Sequence, residues 1–341
     1  MSSPPAAAGR PGPLAYLFPT WFAIPMGLCG LSLAWHRAVP LMGEPAQAVA
    51  MALAALGALV FVLLLVATVW RGLHHAAAWA DDRRHPVRHT MVATLPISAL
   101  LVATAGQACG VPAAWVAPLW AAATLGLLFV TWWVVSRWFR GHQPGGLQWA
   151  TVTPALFIPV VGQVLVPLAG VPLGQAEWSA AQFGVGLMFW PVITLLLLVR
   201  VAQQGMWPER LLPTTVIFVA PPAVIGMAGL QFGTPVTLVW ALWGMGLFSL
   251  LWVASLGRRI GGLPFGLAHW GMSFPLAAFT ALTLRLLPTG PLAPLGVALL
   301  AMVSLLVAAL VLATVRGLRD GSLLAPEPVA VITPVGQPKA A

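Results

Sequence analysis

Charged residues are scarce in this sequence. Only 7% of its 341 residues are Asp, Glu, Lys or Arg, whereas 60% are hydrophobic. A soluble domain carries about 25% charged residues because its surface faces water. The composition therefore excludes an ordinary soluble protein and predicts an integral membrane protein whose main partner is the lipid bilayer. The long apolar stretches favour spanning helices over the short alternating segments of a membrane barrel.

Groups that would support an enzyme or a metal site are also few. The two cysteines, Cys29 and Cys109, lie in apolar stretches and form no CxxC or zinc pattern. A histidine-rich loop contains His74, His75, Asp81, Asp82, His85 and His89. It leaves a membrane-embedded metal or redox protein as an alternative, although the spacing of these residues is not that of a ligand set. No nucleophile–base pair or phosphate loop is present, so we predict no enzyme activity, no metal and no cofactor.

Charge-free intervals define the predicted spans. Most are the length of one spanning helix, and two are long enough for a pair of helices, which the turn signals at Gly110–Pro112 and Gly233–Pro235 separate. This gives ten spans, at about 14–35, 46–70, 90–109, 113–136, 150–170, 182–200, 212–231, 236–256, 264–285 and 291–315. The predicted domains are a disordered N-terminus (1–13), a ten-helix channel domain (14–315) and a disordered tail (316–341).

Basic residues orient these spans. Of the 16 Lys and Arg residues, 14 follow even-numbered spans or lie in the termini, and only Arg37 and Arg285 lie on the other side. The positive-inside rule therefore predicts that both termini are cytoplasmic, which an even number of spans also requires. The net charge of +9 is thereby explained as a topology signal, and we predict no nucleic-acid partner.

Prolines divide the spans into two sets. Deep prolines occur mainly in odd-numbered spans, where they remove backbone hydrogen bonds and bend the helix; they are Pro25, Pro96, Pro154, Pro159, Pro221, Pro222 and Pro275. Freed backbone groups at membrane depth are tolerated only against protein or a water-filled cavity. The fold class predicted is thus all-α, five hairpins of a kinked odd helix and a straighter even helix, with the odd helices around a central path. Gly27 and Ser98 lie close to these kinks.

The uncharged span interiors indicate what the path carries. Proton- and sodium-coupled transporters usually need an ionisable group inside the membrane, and cation channels need acidic rings. Neither is present, whereas the cytoplasmic side is positive. Arg37 and Arg285 are candidates for attracting anions at the opposite mouth, although snorkelling to the membrane interface explains each equally well.

Four fragments, in or just before the first, third, seventh and ninth predicted spans, resemble the TehA-like tellurite-resistance/dicarboxylate transporter family, which includes the plant slow anion channels. They are Phe18–Gly27 with Leu31–Trp35, His85–Arg88 with Leu95–Ser98, Pro208–Arg210 with Ala220–Ala223, and Trp270–Pro275. The resemblance covers most of residues 17–315.

This resemblance implies quasi-fivefold symmetry, a pore lined by the odd helices, and a homotrimer with one pore per subunit. It also implies that Phe274 closes the pore as a gate. We predict a passive channel for small anions such as chloride or nitrate in a bacterial inner membrane. The alternative is a carrier for tellurite, sulfite or C4-dicarboxylates.

Overall fold

The computed structural model describes residues 12–85, 87–141 and 146–325. Within these ranges every regular element is a helix, which confirms the all-α prediction. The α-helices are α1 (Ala23–Met42), α2 (Glu44–His74), α3 (Ala76–Arg84), α4 (Arg88–Met91), α5 (Thr94–Ala108), α6 (Ala113–Trp138), α7 (Phe157–Val161), α8 (Pro167–Gly170), α9 (Ala176–Gln204), α10 (Ala220–Gln231), α11 (Val236–Ala254), α12 (Gly257–Gly261), α13 (Ser273–Leu286) and α14 (Ala293–Arg319). The 3₁₀ segments are Pro13–Tyr16, Pro19–Phe22, Trp149–Thr151, Pro154–Leu156, Gly162–Leu165, Glu209–Val219 and Leu267–Met272.

Eight helical stretches in the described ranges are long and apolar enough to cross a membrane. They are Glu44–His74, Arg88–Ala108, Ala113–Trp138, Ala176–Gln204, Glu209–Gln231, Val236–Ala254, Leu267–Leu286 and Ala293–Arg319. The first and fifth predicted spans correspond to α1, which carries His36 and Arg37 in its second half, and to the short apolar stretch Pro154–Gly170. The count of ten spans stays a prediction.

Several helices extend beyond the predicted span ends. The span predicted at 46–70 is a helix from Glu44 to His74, and α14 continues to Arg319, into the segment predicted as tail. Arg, Glu and Gln are good helix formers, so the polar ends of a span continue the helix outside the apolar stretch. The predictions of disorder for residues 1–11 and 326–341 lie outside the described residues.

The proline-rich segments include 3₁₀ turns, and hydroxyl groups of neighbouring helices donate to backbone carbonyls there. The Thr94 hydroxyl donates to the carbonyl of Pro19 at 2.6 Å, and the Ser98 hydroxyl donates to that of Phe22 at 2.7 Å. The hydroxyl of Thr131, on α6, donates to the carbonyl of Pro159 at 2.5 Å. These backbone carbonyls are therefore satisfied within the protein, as a membrane interior requires.

Burial separates the helices into an inner and an outer set. The most apolar part of Glu209–Gln231 is 94% buried, and those of Arg88–Ala108 and Leu267–Leu286 are each 67% buried. In the other five stretches, which contain α2, α6, α9, α11 and α14, the buried share is 17–33%. The outer helices thus present large apolar surfaces to their surroundings, whereas the inner helices are covered by protein.

Candidate functional site

Two cavities lie between the inner helices. The first, of about 520 Å³, is named here the Arg88 cavity, and its polar lining includes His85, Arg88 and Arg210. The second, of about 380 Å³, is the Arg37 cavity, and its polar lining includes His36, Arg37, Thr104, Gln107 and Gln231. Either volume accommodates a small anion together with water, because one water molecule occupies about 30 Å³ in the liquid.

The walls of both cavities come mainly from the odd-numbered predicted spans. The Arg37 cavity is lined from α1 by Gly30, Leu33 and Arg37, residues that share one helix face. Further lining residues come from α5, from α10, from α13 and from the segment around α8. The Arg88 cavity is lined by the corresponding parts of the chain and by the segments that precede α5 and α10, which supply His85, Arg88 and Arg210. Ser322, Leu323 and Ala325, which follow α14, complete its wall. None of the described lining residues belongs to α2, α6, α9, α11 or α14.

Two side chains, Val224 of α10 and Phe274 of α13, line both cavities. Val224 is 3% exposed, and Phe274 is partly buried. Phe274 is the second residue of α13 and precedes Pro275, so its ring lies where the 3₁₀ segment Leu267–Met272 changes to α-helix. These two apolar side chains therefore stand at the boundary between the cavities.

The electrostatic character of both cavities is positive. Their described walls contain three arginines, Arg88, Arg210 and Arg37, and no aspartate or glutamate. Low-dielectric walls lined by charge of one sign focus the field and concentrate ions of the opposite sign. The cavities thus favour anions over cations.

Arg88 is held at its cavity by a buried ion pair and an aromatic ring. Its guanidinium lies 3.4 Å from Asp82 and 4.0 Å above the Phe18 ring. Asp82 also pairs with Arg71 at 2.6 Å, and the Arg71 Nε donates to the carbonyl of Ala15 at 3.1 Å. Burial raises the pKa of the Asp82 carboxyl, and the two guanidinium groups act against that rise. This cluster joins the start of the first span to α2, α3 and α4.

The predicted site residues fall into two groups in the structure. On the cavity walls lie Phe274, Pro221, Pro275 and Arg37. Away from the described walls of these two cavities lie Pro25, Gly27, Pro96, Ser98, Pro154, Pro159, Pro222 and Arg285.

Contacts of this second group place several members between helices. Gly27 faces Ser273 of α13, because a Cβ added at Gly27 would lie 2.7 Å from the Ser273 Cβ. Ser98 is fully buried and bonds backbone carbonyls. Arg285 is exposed at the end of α13. Most of the kink prolines thus shape the backbone without lining a cavity, and other side chains form most of the cavity surface.

Sequence reasoning missed Val224, Gln107 and Gln231 as wall residues. The two glutamines are polar residues near the ends of otherwise apolar spans, and that signal was available in the sequence. Val224 carried no signal, because nothing distinguishes it from other apolar residues of its span. Among the described residues, no three His, Cys, Asp or Glu side chains come close enough together to hold a metal ion.

Comparison with known proteins relates this chain to anion channels and transporters. A family model described as voltage-dependent anion channel matches residues 16–315. The chain is 27% identical to a tellurite resistance protein TehA homologue of Haemophilus influenzae over 261 residues, which cover 76% of this chain and 77% of that protein. It is 24% identical to an uncharacterised transporter of Methanocaldococcus jannaschii over 77% of this chain and 81% of the relative. It is 28% identical to the S-type anion channel SLAH2 of Arabidopsis thaliana over 59% of this chain and 38% of the plant protein.

Proposed function

The chain belongs to the voltage-dependent anion channel family, and on that premise we propose that it is a channel through which small anions such as chloride or nitrate cross a bacterial inner membrane passively. The observation that carries this proposal is the charge of the two cavities, whose described walls contain arginines and no carboxylate. A path of this kind repels cations and supplies no acidic group for coupling to protons.

The anion path runs through both cavities and past Phe274. An aromatic ring in an apolar constriction excludes hydrated ions, and a change of its rotamer clears the way. Phe274 and Val224 line both cavities, which supports a gate at this level. Phe274 is the moving part, because its ring turns about two side-chain bonds, whereas the β-branched Val224 is stiff.

Ten spans, arranged as five hairpins with quasi-fivefold symmetry, form the channel domain in this proposal. The odd helices line the path, which agrees with the origin of the described cavity walls. Both termini are cytoplasmic, so that the Arg88 cavity opens to the cytoplasm and the Arg37 cavity to the opposite side. Three subunits assemble through the exposed apolar outer helices, each with its own path.

A secondary carrier or exporter of tellurite, sulfite or C4-dicarboxylates is the second candidate. The name of the Haemophilus influenzae relative, a tellurite resistance protein homologue, favours it. Such a carrier would bind its substrate and change shape in each cycle, and would transport far fewer ions per second than an open channel.

Anion flux from vesicles separates these functions. The purified protein is reconstituted into liposomes, a potassium gradient with valinomycin sets the membrane potential, and efflux of chloride, nitrate, tellurite, sulfite or malate is followed. A channel gives flux that follows the potential and does not require a proton gradient. Saturable flux that depends on a proton gradient would establish the carrier instead, and no flux of any of these anions would contradict both functions.

A further inference from the structure

We propose that the Arg37 cavity contains a binding site for a planar oxyanion, nitrate or a carboxylate group, and that the guanidinium of Arg37 is its recognition group. The inference rests on the proposed function, since it identifies where an anion pauses on the path and which chemistry the path selects.

The position of Arg37 along the path follows from helix geometry. Gly30, Leu33 and Arg37 lie three and four residues apart on α1 and share the face that lines the cavity. Gly30 is at the level of Phe274, because a Cβ added there would lie 2.9 Å from Cδ2 of that ring. Seven residues correspond to about 10 Å along a helix, so Arg37 lies about two turns beyond the boundary between the cavities.

Arg37 is partly buried and has no counter-ion in the described ranges. Ion pairs in those ranges, such as Asp82 with Arg71 and Arg88 and Glu209 with Arg259, do not include Arg37. A charge removed from water is costly unless it is paired.

A second cation increases this imbalance. Arg285, at the end of α13, is close enough for its charge to act on Arg37. Like charges repel, and an anion bound at Arg37 offsets that repulsion. The protein has thus placed uncompensated positive charge on the wall of a cavity.

Two neutral glutamine side chains also line the Arg37 cavity. Gln107 of α5 and Gln231 of α10 line it together with Arg37. The Oε1 atom of Gln107 is buried without a hydrogen-bond partner. Amide orientation is assigned from the hydrogen-bond network, and the reversed amide directs an N–H donor there instead. Carboxamide N–H groups and a guanidinium together bind the oxygens of an anion.

The guanidinium fork selects oxyanions over chloride. Arginine presents two parallel N–H donors that match two oxygens of a carboxylate or nitrate, whereas a spherical halide gains less from the fork. Lysine retains the charge and loses the fork. An Arg37→Lys variant therefore separates attraction by charge from recognition by shape.

Binding to the purified detergent-solubilised protein tests the site without any transport. Calorimetric titration with sodium nitrate, sodium acetate and sodium chloride compares the wild type with Arg37→Lys and Arg37→Gln. The exposed Arg84→Gln on α3, which removes a charge away from the walls of both cavities, is the matched control. We expect Arg37→Lys to weaken nitrate and acetate binding by about tenfold, with chloride binding changed by less than about threefold. Arg37→Gln weakens binding of all three anions, and Arg84→Gln leaves all three affinities at the wild-type level.

Equal nitrate affinity in the wild type and both Arg37 variants would overturn the proposal, as would wild-type protein that binds none of the three anions. If Arg37-dependent nitrate binding is found but the liposome assay shows no anion flux, the site stands and the transport function is wrong. If flux is found but nitrate binding ignores Arg37, the transport function stands and the site is wrong.

Discussion

Gly30 of α1 lies directly against the ring of Phe274 on α13. A Cβ added to Gly30 would stand 2.9 Å from Phe274 Cδ2 and 3.4 Å from the Cβ of Ala277. Real Cβ atoms essentially never approach to the first distance, so the ring occupies its place only because position 30 has no side chain. In the proposed channel, Gly30 thus fixes the resting position of the gate.

Gly30→Ala tests this dependence. The added methyl group displaces the Phe274 ring from its place, at a cost of about 0.5–1.5 kcal/mol for an off-rotamer side chain. The closed position is then less favoured, and we expect about two- to tenfold more anion current per protein. The measurement is chloride current across planar bilayers containing the purified variant.

Gly244→Ala is the control for that substitution, since a Cβ at Gly244 of α11 meets no atom within 4 Å. Its current should equal that of the wild type. Equal currents in Gly30→Ala and Gly244→Ala would show that Gly30 does not set the position of the gate.

The Thr131 hydroxyl on outer helix α6 bonds to the fifth predicted span, which consists of several short helices, and should stabilise it. Thr131 of α6 donates to the Pro159 carbonyl and accepts a 2.7 Å hydrogen bond from the Gln163 side chain. Thr131→Val leaves both partners buried and unbonded, which should cost about 1–3 kcal/mol of stability. Thermal unfolding in detergent measures the loss. Thr194→Val removes a hydroxyl that bonds only to the Trp190 carbonyl of its own helix, and an equally large loss there would contradict this explanation.

The buried ion pair beside the Arg88 cavity is expected to be structural. Arg71 is fully buried, pairs with Asp82 at 2.6 Å and bonds the Ala15 carbonyl. Arg71→Gln leaves the Asp82 carboxylate with only the longer contact to Arg88, and we expect a loss of about 3–5 kcal/mol. The exposed Arg84→Gln on α3 is the matched control, with little change. Similar unfolding temperatures for the two variants would show that the cluster does not stabilise the fold.

The sequence predicted more of the fold than of the candidate site. Hydropathy and charge placement predicted helices and most span positions, because a bilayer requires long apolar segments whatever their packing. The odd-span prolines indicated an inner set, and the described cavity walls come from those parts of the chain. Which side chain faces a cavity depends on helix rotation. Pro222 therefore packs near Gly246 of α11, whereas its neighbour Pro221 lines the Arg88 cavity.

The proposed trimer gives a direct prediction of mass. The outer helices expose large apolar side chains, among them Leu63 on α2 and Leu305 on α14, and a subunit interface on these surfaces would bury part of them. Native mass spectrometry from mild detergent should give three times the subunit mass of 35.8 kDa. A stable species at one or two subunits alone would contradict the proposed assembly.

Phe274→Ala tests the central claim most directly. Removal of the ring from the boundary between the two cavities should raise chloride and nitrate current at least severalfold in planar bilayers at equal protein content. Phe248→Ala, whose ring on α11 is 73% exposed, should leave the current at the wild-type level. A Phe274→Ala protein that is folded and inserted, yet carries the same current as the wild type, would contradict a gate at Phe274.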